Sequence, residues 1–134
     1  DVMVPMDRVI TLQAGATPSD IERLVARTGF SRYILLDADG APESYIHIKD
    51  VLYADTPADY EAEIPAKRYR SLVTLTAGDE IEDSLGVMQD AGNHVGRVLD
   101  AAGATVGVLF LEDVLEELVG EVHDAMQRGP RSRR

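Results

Sequence analysis

Apolar residues along this chain change their spacing several times, and each change marks an element. Residues 9–12 (Val-Ile-Thr-Leu) form a short run of β character, preceded by a β-rich opening that Pro5 interrupts. Ile21, Leu24, Val25 and Thr28 follow at the spacing of one helix face. Thr17-Pro18-Ser19-Asp20 supplies the start of that helix: a hydroxyl cap, a proline in the first turn and an acid at the positive end of the dipole. Gly29 supplies its stop. Residues 33–36 and 45–48 read as strands separated by the turn sequence Asp37-Ala38-Asp39-Gly40. A further helix is expected from Lys49, ending before Pro57, and residues 54–70 read as a connector of mixed charge. A helix over about 80–91 carries Ile81, Leu85 and Met88 on one face, and strands are expected near 95–99 and 105–109. Leu111, Val114, Leu115, Leu118, Val119 and Val122 mark a last amphipathic helix, with Glu112, Asp113, Glu116, Glu117 and Glu121 on its wet side.

The order of elements occurs twice because the sequence does. Shifted back by 63 positions, Asp113-Val114-Leu115 falls on Asp50-Val51-Leu52. The same shift aligns Thr74 and Leu75 with Thr11 and Leu12, Ala77-Gly78 with Ala14-Gly15, and Gly92 with Gly29. It also aligns Asp100-Ala101 with Asp37-Ala38, and Gly103-Ala104 with Gly40-Ala41, with no gap. A gapless repeat of this length describes two copies of one supersecondary unit, here β-α-β-β-α. One such unit cannot cover its sheet and helices alone, and two side by side can. The predicted fold class is therefore α+β, with two tandem repeats sharing one core. The expected boundaries are 1–56 for the first repeat, 57–70 for the connector, 71–122 for the second repeat and 123–134 for a basic, disordered tail.

Composition narrows the function classes. The 134 residues suit one compact domain or two half-domains, and 45% are apolar, enough for a real core. A net charge of −11, with no Trp and few aromatics, argues against a nucleic-acid partner. The tail opposes that trend with Arg128, Arg131, Arg133 and Arg134, read either as a solvated end or as a contact for anionic lipid headgroups. The absence of cysteine removes thiol catalysis and zinc-thiolate sites. His47, His94 and His123 lack metal-ligand spacing, so no metal site is expected. No nucleophile elbow, paired-carboxylate signature or Gly-rich phosphate loop is present, and the chain is not expected to be an enzyme.

The repeated unit, closing each time on apolar-x-Asp-apolar-apolar, resembles a CBS-domain pair (the cystathionine-β-synthase module). Val2-Met3-Val4-Pro5-Met6 resembles the Val-Met-Thr-Pro opening of the cytosolic module in the CorC/HlyC and cyclin-M magnesium/cobalt transport family. Ser31-Arg32-Tyr33 and the stretch from Ile46 to Leu52 are similar to that family's first repeat, and the stretch from Leu111 to Val122 to its end. The resemblance implies a non-catalytic regulatory module, a cytoplasmic domain of an integral membrane protein, attached to an upstream membrane domain. It further implies a disc-shaped homodimer formed through the CBS helices, and adenine-nucleotide binding (ATP or AMP with magnesium) in many members. The other function class is a soluble CBS-pair nucleotide sensor, or the regulatory fragment of an enzyme.

In the family's nucleotide motif a Ser or Thr stands three residues before the Asp, and hydroxyl and carboxylate together hold a ribose. Matched onto this chain, the candidate residues are His47 with Asp50 and Phe110 with Asp113. Either carboxylate can accept both hydroxyls of a ribose, or can simply stabilise the first turn of a helix. Phe110 cannot hydrogen-bond, and Ser44 stands where the motif has Gly. The expected nucleotide sites are therefore degenerate and weak, with Phe110 filling the second cleft with its own ring.

Overall fold

The structure, a computed structural model, describes residues 2–132 and side chains as far as residue 127. In chain order its elements are β1 (Val4–Pro5), β2 (Thr11–Leu12), α1 (Pro18–Thr28), β3 (Arg32–Leu36), β4 (Pro42–His47), α2 (Pro57–Glu61), β5 (Arg70–Ser71), β6 (Val73–Thr76), α3 (Ile81–Ala91), β7 (Val95–Leu99), β8 (Thr105–Phe110) and α4 (Leu111–Ser132). They form two compact units, one of residues 7–72 and one of the described residues on either side, 2–6 with 73–132.

In the unit of residues 7–72 the sheet order is β2-β3-β4-β5, with β2 parallel to β3 and the other pairs antiparallel. Helix α1 begins as its sequence requires. The Thr17 hydroxyl accepts from the Asp20 N–H at 3.2 Å and the Asp20 carboxylate accepts from the Thr17 N–H at 2.9 Å. This reciprocal cap stabilises a helix start by about 1 kcal/mol. Gly29, at φ 73°, ends the helix by donating to the Val25 carbonyl at 2.8 Å. The helix lays Ile21 into a core with Leu12, Tyr33, Leu35, Ile46 and Ile64. Tyr33 is fully buried, and its hydroxyl is satisfied by the Phe30 carbonyl at 2.8 Å and by Thr28.

The second unit has the order β1-β8-β7-β6, with β6 parallel to β7. Its core gathers Leu75, Met88, Val98, Leu109 and Val114, with Ile81, Leu85 and Leu118 packed around them. The β-α-β-β-α order is complete here. Each unit turns its hairpin with the same device. The Asp37 carboxylate accepts from the N–H groups of Asp39 and Ala41 at 2.8 and 2.9 Å, and Asp100 accepts from those of Ala102 and Ala104 at 2.9 and 3.0 Å. The paired glycines, Gly40 and Gly103, supply the positive φ, 83° and 86°, that such a loop needs.

Several expectations need correction. The helix expected from Lys49 is a 3₁₀ turn, Ile48–Val51. It stops because Asp55-Thr56-Pro57 begins a new helix: Thr56 caps Asp59, and Asp59 caps Thr56 in return. The connector therefore contains α2, and its last residue, Arg70, opens β5, which pairs with β4. At the other end, β1 pairs with β8 (Val4↔Val108, Pro5↔Gly107), so the opening residues join the second unit instead of the first. From residue 123, where a disordered tail was expected, α4 continues to Ser132. The lipid contact assigned to the arginines at 128, 131, 133 and 134 rests on side chains outside the described residues.

Candidate functional site

β4 delivers the first candidate pair. His47, the last residue of β4, is still extended (φ −93°, ψ 149°), and its imidazole Nδ1 accepts from the Lys49 N–H at 3.0 Å. The His47 N–H in turn donates to Asp50 Oδ2 at 2.9 Å. His47 thus does the capping work that a Ser or Thr would do at this position, and Asp50 completes the reciprocal cap. Arg70 on β5 then closes on the carboxylate, Nε donating to Oδ2 and Nη2 to Oδ1, each at 2.8 Å. Oδ2 accepts two hydrogen bonds and Oδ1 one, so one lone pair remains on a carboxylate with four. A ribose diol reaching Asp50 must displace Arg70.

Electrostatics follow the same geometry. Burial pushes the Asp50 carboxyl up, but the Arg70 hydrogen bonds, the His47 N–H and the Arg70 charge together outweigh it and hold the group below its ordinary value. Burial lowers His47 first, and the Arg32 and Arg70 charges lower it further against the opposing pull of Asp50. The neutral imidazole is the form that can accept at Nδ1, so shift and hydrogen bond agree.

The second pair is built differently. Phe110 is the last residue of β8, opposite Val95, and is half-buried rather than sealed. Asp113 lies in the first turn of α4, half-buried, without an ion-pair partner among the described residues. The two aligned carboxylates have therefore diverged: Asp50 is clamped by an arginine and Asp113 is not. The second unit also holds a cavity of about 320 Å³, which neither Phe110 nor Asp113 lines. Among the described residues no three His, Cys, Asp or Glu side chains are arranged to hold a metal ion, and no helix is long and apolar enough to cross a membrane. Arg70 was not singled out from the sequence. Its strand is two residues long, and its pairing with Tyr45 and with Asp50, 20 residues away, leaves no periodic signal.

Residues 1–56 match the family model of the CBS domain. An uncharacterized protein of Mycobacterium tuberculosis is 34% identical, over 96% of this chain and 38% of that protein. The magnesium and cobalt efflux protein CorC of Salmonella typhimurium is 26% identical, over 92% of this chain and 42% of that protein. The CBS domain of the bacterial CNNM/CorC family Mg2+ transporter, solved in complex with ATP, matches with a TM-score of 0.79 at 23% identity, over 89% of this chain and 84% of that one. Residues 1–56 thus match a CBS domain, and with two α/β units repeating one pattern the chain has the fold of a CBS-domain pair. In sequence it is similar to CorC, and in fold to the CBS domain of the CNNM/CorC family transporter. It spans about two-fifths of the length of these two curated relatives.

Proposed function

We propose that this CBS pair is the non-catalytic, cytosolic regulatory and dimerisation module of a CorC-like membrane cation transporter, with degenerate adenine-nucleotide sites. The observation that carries the reading is the two-pronged Arg70–Asp50 ion pair, which occupies the carboxylate a ribose would need. Phe110 supports it from the other repeat, since no hydroxyl stands beside Asp113 to complete a ribose grip. The protein then works by transmitting dimer geometry, with nucleotide as a weak modulator. Calorimetry of the chain with ATP, with and without magnesium, is the test. Weak or absent heat fits the proposal, and a low-micromolar Kd lost in Asp113→Ala rejects it.

The dimerisation half of the proposal draws on α4. Leu115, Val119, Val122 and Met126 are exposed and recur at helical spacing, with Val119 at 67% and Met126 at 73% exposure. An apolar stripe of this kind calls for a partner, and a two-fold copy of the same helix is the commonest solution.

A further inference from the structure

The cavity in the second unit is lined by none of the four candidate nucleotide residues, His47, Asp50, Phe110 and Asp113. At about 320 Å³ it is at the small end of the range of ligand sites. Leu75, Val98 and Leu109, all buried, form its floor, and Met3 lines it from the opening segment of the chain. Asp79, Glu117 and Glu121 line it from exposed positions and so make its mouth. Glu117 and Glu121 are one helical turn apart on α4 and share a face. No basic residue lines the cavity, and none of these three carboxylates has an ion-pair partner among the described residues.

Two ligand classes are excluded by this arrangement. The carboxylates are not grouped to hold a metal ion. A polyphosphate would meet their uncompensated negative field. What complements an apolar floor beneath a negative mouth is a hydrocarbon body with a positive head. We propose that this cavity binds an amphipathic organic cation, of the alkylammonium or alkylguanidinium class. Its hydrocarbon part lies on Leu75, Val98 and Leu109, and its charged head meets Asp79, Glu117 and Glu121. The inference is independent of the nucleotide reading, because Asp50 and Asp113 take no part in it.

The test uses the full chain and a matched set of probes: hexylammonium, neutral hexanol and hexanoate, followed by amide NMR shifts. Hexylammonium is expected to shift residues 75–79 and 117–121 and to bind about tenfold more tightly than hexanol, with hexanoate weakest. Glu117→Gln with Glu121→Gln should weaken hexylammonium about fivefold. Asp90→Asn, an exposed change on α3 that does not line the cavity, should leave the affinity unchanged. Saturation with ATP should also leave it unchanged, which separates this site from any nucleotide site. Equal affinity for hexanol and hexylammonium, shifts located elsewhere, or an undiminished affinity in the double variant would each overturn the proposal.

Discussion

Arg70 meets Asp50 in parallel, Nε to Oδ2 and Nη2 to Oδ1, both at 2.8 Å. The bond joins the 3₁₀ turn after β4 to the start of β5, 20 residues apart along the chain, and it gives the carboxylate a structural duty where the family motif has a ligand-binding one. The arginine side chain is nearly half exposed while the aspartate is mostly covered. Solvent therefore screens one partner, and the pair is worth less than its geometry suggests. Arg70→Ala should destabilise the protein by about 0.5–1 kcal/mol. Asp50→Ala should cost more, about 1–2 kcal/mol, because it also strips the His47 N–H of its acceptor. Urea unfolding of both variants checks the order, and equal losses would mean that the cap contributes nothing.

The pH dependence has a worked sign. Burial, with the Arg32 and Arg70 charges, places the folded His47 pKa below its ordinary 6.5. Between those two values the unfolded chain binds the proton and the folded chain does not, so stability rises with pH across the interval. The contribution is complete above 6.5 and is lost as pH falls through the interval. Protonation also turns Nδ1 from acceptor to donor and breaks the cap to Lys49. Melting curves from about pH 7.5 to about pH 5.5 should fall, and His47→Gln should flatten that part of the slope. Asp50, whose folded pKa also lies below its ordinary 3.8, adds its own loss as pH falls below that value.

Phe110→Thr should lower stability by about 1 kcal/mol, less than the roughly 1.5–3 kcal/mol of a fully buried side chain, because Phe110 is only half-buried. It also creates the hydroxyl three residues before Asp113. ATP should then raise the melting temperature of the variant more than that of the parent chain, by mass action. A variant with an unchanged melting temperature would refute a self-filled cleft at Phe110.

Val119→Glu with Val122→Glu introduces charge into the exposed stripe of α4. Sedimentation should show a dimer for the parent chain and a monomer for the variant, with little change in helix content. A parent chain that stays monomeric at high micromolar concentration would remove the dimer from the proposal.

Gly107→Ala is expected to be costly despite its size. A Cβ there would lie 2.6 Å from the Val4 carbonyl oxygen and 2.6 Å from Met3 Cγ and Sδ. The side chain of Met3 can shift but the backbone of β1 must move away, so a loss of about 1–3 kcal/mol is expected. The amides of β1 should lose hydrogen-exchange protection before those of β7.

Much of this architecture could be read from residue types. The identities shared by the two repeats fall largely on turns and caps. Asp37 with Asp100 and Gly40 with Gly103 close the hairpins, and Gly29 with Gly92 end the helices. Local chemistry of that kind is visible in a sequence because the partners are neighbours. Helix α2 has a local signal as well, since Thr56-Pro57-Ala58-Asp59 repeats the pattern of Thr17-Pro18-Ser19-Asp20. The Arg70–Asp50 clamp and the β1–β8 pairing carry no such signal. Each depends on which distant strand lies alongside, and two-residue strands have no period to betray it. The motif comparison marks His47 and Phe110 as departures beside Asp50 and Asp113, but nothing local reveals that an arginine engages Asp50.

The pairing of Val4 with Val108 carries a consequence for synthesis on the ribosome. Residues 7–72 hold all the strands of their own sheet, so that unit can close as soon as they emerge. β1 is made before them and must wait, its edge unpaired, until β8 is translated. Folding of the two units is thereby staggered in time, and β1, made before residues 7–72, finds its place after them.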